Sequence, residues 1–198
     1  MDGRIDRREA GTGPSEDTAP LHGTDVFKAL TPRDFLTLSD QEVRRASRYS
    51  RPLSVVMIQL NDVPELIEKE GTDVARKVAL AAMERVGMMM RETDLMSHLG
   101  PAEIGLLLPE TRLEQAYIAA LRLRMAFSEV MLETLAGPRF LSICAGVAAI
   151  SPRTRNAKTF LMQACVELRR ARSEGPGTVC AAAPDTSRVV RPGTRAVH

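Results

Sequence analysis

The chain has no tryptophan, only two tyrosines and five phenylalanines. Its core must therefore be aliphatic, with ten methionines taking over part of the aromatic role. Cysteine is scarce: Cys144, Cys165 and Cys180 are odd in number and widely spaced. That pattern supports neither a disulfide framework nor a thiolate metal site, and reads as reduced, mostly buried thiols in a cytoplasm. The three histidines, His22, His98 and His198, are scattered and suggest no metal site, and no cofactor is expected. Charge of one sign is also missing. A net charge of +2 makes no electrostatic case for nucleic acid or an anionic membrane. No apolar run approaches the roughly 20 residues of a membrane helix, so membrane insertion is not expected. The opening MDGRIDRREAGTGPSEDTAP lacks the apolar stretch of a secretory leader.

What is present is an ordinary globular composition, 44% hydrophobic and 26% charged. Residues 1–24 and 183–198 are rich in Gly, Pro, Ser and charge, and are expected to be disordered tails around one domain over 25–182. Within it, Pro32 to Tyr49 has helical spacing, with Phe35, Leu38, Val43 and Ala46 as apolar marks. LSVVMIQL, 53–60, is β-branched and almost wholly apolar, the pattern of a central strand buried on both faces. A short helix over 62–70 has Pro64 in its first turn and Gly71 to close it. Asp73 is placed to cap a long helix reaching Arg91, and Thr111 another beginning at Leu113. FLSICAGVAAI reads as one strand, a last helix spans 157–172, and a short strand lies around 178–180. The order predicts an α+β fold: a mostly antiparallel sheet of about five strands flanked by helices.

The stretch SHLGPAEIGLLLPET, 97–111, reads as a β-hairpin whose corner is unusual. Hairpin corners favour Gly with Asn, Asp or another Gly. Here Gly100 meets Pro101, which suits a type II′ corner if Gly100 takes a positive φ.

Four collinear stretches, RRASRYSRPLSVVMIQLND, RETDLMSHLGPAEIGLLLPET, LSICAGVAAI and LMQACVELRRARSEGPGTV, together resemble the GGDEF domain of diguanylate cyclases over residues 31–182. The resemblance implies a nucleotidyl-cyclase-like fold and places Gly100-Pro101-Ala102-Glu103-Ile104 on the signature loop. The family joins two GTP molecules into cyclic di-GMP by phosphoryl transfer, with two divalent metals neutralising the developing charge. Its metal carboxylates fall here on Gln59 and Ala102. A neutral amide and a methyl group are poor ligands for hard cations. Pro101 has no N–H to offer a phosphate, Pro64 and Ile67 stand where the family has a lysine and a guanine-binding asparagine, and Arg76 replaces a base-binding acid. Asp62 and Glu103 do not make a displaced metal pair, since a shift of three residues from Gln59 carries Asp62 to the other face or past the strand end. No catalytic residue, metal ligand or cyclase activity is expected.

The same resemblance implies that a second site has been kept. Arg91-Glu92-Thr93-Asp94 carries the R-x-x-D mark of the family's product-binding inhibitory site, and Arg122 falls on its third position. Guanidinium forks pair with phosphate and stack on guanine, and a carboxylate accepts from the guanine edge. Against this stands a plain structural role: Arg91 as a helix-end cation, Asp94 as a turn cap, Arg122 as a solvated arginine. Arg172, where the family has a phosphate-contacting lysine, reads as a helix C-terminal cation. Met88-Met89-Met90 reads as core filling, and His98 as a hairpin surface residue. The expectation is a non-catalytic cyclic di-GMP receptor or adaptor that signals to an unidentified protein partner, with a homodimer as a possible assembly. The alternative is a ligand-independent protein-interaction scaffold.

Overall fold

The computed structural model describes residues 29–134 and 137–182. Both expected tails lie outside them, as do residues 25–28 of the expected domain. The first helix, α1 (Pro32–Tyr49), starts where Thr31 Oγ1 accepts from the Asp34 N–H at 3.1 Å and Pro32 supplies a preset φ. It ends at Ser50, a non-glycine residue in the left-handed region at φ 53°. The strand β1 (Leu53–Leu60) follows, buried at every position.

Next come α2 (Val63–Glu70), α3 (Thr72–Gly87), β2 (Leu95–Gly100), β3 (Glu103–Pro109) and α4 (Leu113–Ser128). The chain continues through β4 (Met131–Thr134), β5 (Gly137–Phe140), β6 (Ile143–Ala149), α5 (Ala157–Glu174) and β7 (Val179–Ala181). Five strands form one sheet in the order β2-β3-β1-β6-β7, antiparallel except for the β6–β7 pair. The expected α+β architecture is present. Strand β1 lies at its centre, hydrogen-bonded on both edges, and both its faces are covered, which is why its apolar run shows no alternation.

Two cores cover the two faces. Val56, Ile58 and Leu60 pack with α2, α3 and α4, whereas Val55 and Met57 pack with Phe35 and Val43 of α1 and Phe160 and Ala164 of α5. On the second face α5 crosses directly over Gly146 of β6. A Cβ there would overlap the backbone of Ala164 and Leu168. Among the described residues no helix is long and apolar enough to cross a membrane.

Several boundaries differ from the sequence reading. Helix α3 stops at Gly87, not Arg91. Met89 and Met90 donate to Val86 and Gly87 in tight turns that swing the chain toward β2. Asp73 sits in its first turn without capping it. Thr111 does not cap α4: its hydroxyl donates to the Pro109 carbonyl at 2.9 Å, and the cap position is Arg112. The expected strand over 140–150 is two pieces, because Phe140 belongs to a separate β4–β5 hairpin. The break at 141–142 leaves Ser142 free to bind Asp62.

Candidate functional site

The β2–β3 hairpin positions one candidate site. Gly100 pairs with Glu103, so the corner is Pro101–Ala102, after an irregularity between His98 and Gly100. Neither Gly100 nor Ala102 has a positive φ. The expected type II′ corner is therefore not formed; Pro101, its φ fixed near that of position i+1 of a type I turn, sets the bend instead. The Ala102 carbonyl accepts from Leu60 N–H at 2.8 Å, tying the corner to the end of β1, and its methyl is buried in the core.

Beside it, Gln59 lies opposite Glu103 on one side and Cys144 on the other. Gln59 is 9% exposed, and its Oε1 is buried without a hydrogen-bond partner. Asp62 is committed elsewhere: its Oδ2 accepts from the Ser142 N–H at 2.8 Å and the Ser142 hydroxyl at 3.1 Å. Ile67 packs against the core, while Pro64 and Arg76 are exposed. This donor set is one neutral amide carbonyl beside Glu103, with no oxygen at all on the Ala102 side chain. It does not fit a pair of divalent cations. Among the described residues no group of three His, Cys, Asp or Glu side chains is arranged to hold a metal.

His98 is not simply a surface residue. Its Nε2 is enclosed without a partner, and burial pulls its pKa below the ordinary value against the opposing effect of a hydrogen bond to the Pro101 backbone. Cys144 and Cys180 are buried and Cys165 partly so, and all three are free thiols, as expected. Arg172 occupies the last turn of α5.

The second candidate is built at the other end of β2. Between α3 and β2, Arg91 to Asp94 closes on itself. The Arg91 N–H donates to Asp94 Oδ2 at 2.8 Å, and the Asp94 N–H donates to the Arg91 carbonyl at 3.1 Å. One carboxylate oxygen of Asp94 is thus used as a turn cap. The other, Oδ1, is buried and has no partner. Burial raises the Asp94 pKa, opposed by the Arg91 backbone bond and the Arg91 charge.

Asp94 and Arg122 line one cleft of about 60 Å³ with Met89, Met90, Ala119 and Leu123, floored by Val56, Leu106 and Leu108. Arg91 is exposed beside it and does not line it. The volume admits a few waters or the edge of a ring, so a larger ligand would lie across the mouth. Of the three residues expected to form a ligand site, Asp94 and Arg122 share the cleft, whereas Arg91 lies outside its lining. The methionines differ from the expected core filling: Met89 and Met90 line the cleft, Met88 is 65% exposed outside it, and of the three only Met90 packs against the core.

A family model, the diguanylate cyclase GGDEF domain, matches residues 24–178. The Escherichia coli K12 protein described as probable diguanylate cyclase DgcC is 23% identical over 144 residues, 72% of this chain and 38% of that protein. The chain thus spans well under half the length of this relative. Among solved structures, the active GGEEF domain of a diguanylate cyclase from Vibrio cholerae matches with a TM-score of 0.73 at 18% identity, over 79% of this chain and 99% of that one. The GGDEF domain of DgcB from Caulobacter crescentus, in complex with c-di-GMP, gives 0.73 at 13% identity over 80% and 94%. Diguanylate cyclase SiaD of Pseudomonas aeruginosa, in complex with its activator SiaC, gives 0.72 at 21% identity over 80% and 61%. At these identities the likeness establishes a shared fold.

Proposed function

This chain belongs to the GGDEF diguanylate cyclase family, and from that membership we propose that it is a non-catalytic cyclic di-GMP receptor, binding at Arg91, Asp94 and Arg122. The observation that carries the proposal is the unpartnered Asp94 Oδ1 in the cleft it shares with Arg122. A buried acceptor without a donor costs about 1–3 kcal/mol, so a ligand supplying an N–H there recovers that loss. The guanine edge supplies two such donors, the phosphates suit Arg91 and Arg122, and neither arginine makes an ion pair among the described residues.

Catalysis is absent from this reading because Gln59 and Ala102 give hard cations no carboxylate and Pro101 gives a phosphate no N–H. With GTP and Mg²⁺ or Mn²⁺ the protein is expected to yield no cyclic di-GMP by mass spectrometry, and product above a no-protein control would refute this. Restoring Gln59→Asp with Ala102→Asp is expected to leave it inactive, since Pro101, Ile67 and Arg76 remain.

Calorimetric titration tests the receptor reading. Cyclic di-GMP is expected to bind and GTP not. Arg91→Ala and Arg122→Ala each lose on the order of tens- to hundreds-fold in affinity. Asp94→Ala weakens binding and relaxes the preference for guanine, while Arg172→Ala, far along α5, changes neither. No heat at tens of micromolar ligand, or wild-type binding by Arg91→Ala, ends the proposal. One observation favours the alternative scaffold: Pro64 and Ile67 have made the former nucleotide pocket apolar, with Ile67 packed on the core. A protein partner that binds without ligand and is lost on Pro64→Glu would support that reading.

A further inference from the structure

We propose that α4 carries a self-complementary face through which two copies of this chain pair antiparallel. The face is the row Glu114, Ile118, Arg122, each four residues from the next, with Met125 continuing it. Ile118 is 56% and Met125 57% exposed. Glu114 and Arg122 are both exposed, and neither makes an ion pair among the described residues. Single apolar side chains at a surface are ordinary. What distinguishes this row is its order of acid, apolar residue, base.

Rows of residues four apart form the ridges of a helix, and in the commonest class of helix crossing two such ridges lie side by side. Turned end for end about Ile118, the row reads base, apolar residue, acid. Glu114 of one copy then meets Arg122 of the other, twice, with Ile118 against Ile118. That is the self-complementarity a two-fold interface requires. An acidic partner segment would satisfy Arg122 but set like charge against Glu114, so a second copy fits the row better. The inference stands on the α4 surface and shares only Arg122 with the ligand reading.

Sedimentation velocity on the whole chain is expected to show a concentration-dependent dimer that weakens as salt rises. Glu114→Arg and Arg122→Glu each place like charges opposite one another in both halves of the interface, lowering association about tenfold or more. Mixed in equal amounts, the two variants are expected to form a heterodimer, because each supplies the charge the other lacks. Both positions are exposed, so matching thermal melts will show that folding is unchanged. Because Glu114→Arg keeps all three proposed ligand residues, its pairing defect is read separately from cyclic di-GMP binding. A wild-type monomer at hundreds of micromolar, dimerisation of either single variant at wild-type strength, or a mixture that stays monomeric each overturns the proposal.

Discussion

The two oxygens of Asp94 have different fates, one capping a turn and one buried without a donor. Burial raises its pKa above the ordinary aspartate value, so the folded chain holds that proton more tightly than the unfolded chain. The stability tied to this group is therefore fully present below the ordinary aspartate range and is lost as pH rises through the raised folded value. Asp94→Asn keeps an oxygen for the Arg91 N–H and removes the ionisation. The variant is expected to gain stability relative to wild type as pH rises from about 3 to 7, read from urea midpoints across that range. Equal pH slopes would show that the buried oxygen costs nothing. Gln59 presents the same kind of orphan at the end of β1, but as a neutral amide it contributes no slope.

Among the elements, the contact of α5 with β6 is the least tolerant. A Cβ at Gly146 would overlap backbone atoms of α5, which cannot rotate away as a side chain can. Gly146→Ala is expected to cost about 2–3 kcal/mol in denaturant titration. Gly100→Ala, whose Cβ would meet only a Glu103 carboxylate oxygen at 3.9 Å, should cost far less. How far each element was legible follows from how strongly its residues constrain the backbone. LSVVMIQL is apolar on both faces, and its eight-residue length and β-branched residues mark it as a central strand. The β4–β5 hairpin has strands of four residues and no apolar period, so nothing in its sequence marks it as a separate element. Met88 to Met90 look like a further helical turn, yet tight turns there carry the chain on to Asp94. The Arg91–Asp94 turn could be read from sequence because it is local; the place of Arg122 on α4 came only from the family resemblance, and the lining of the cleft by Met89 and Met90 depends on where α3 stops.

At the scale of the whole molecule, sequence neighbours and sheet neighbours are different. Strand β1 takes its partners from β3, ending at Pro109, and from β6, ending at Ala149. Neither lies beside it in the chain. This arrangement separates the fold from the site: Gln59, Ala102 and Pro101 stand at the strand ends, while the long-range pairing that holds the sheet uses backbone groups and apolar side chains. It also has a consequence during synthesis. The apolar run 53–60 leaves the ribosome 89 residues before Ala149 completes its second partner. At ordinary elongation rates that is about 5–20 s with one edge and much of both faces uncovered. For that interval the nascent chain presents an eight-residue sticky segment, and the cell's chaperones, not the sheet, must keep it from its neighbours.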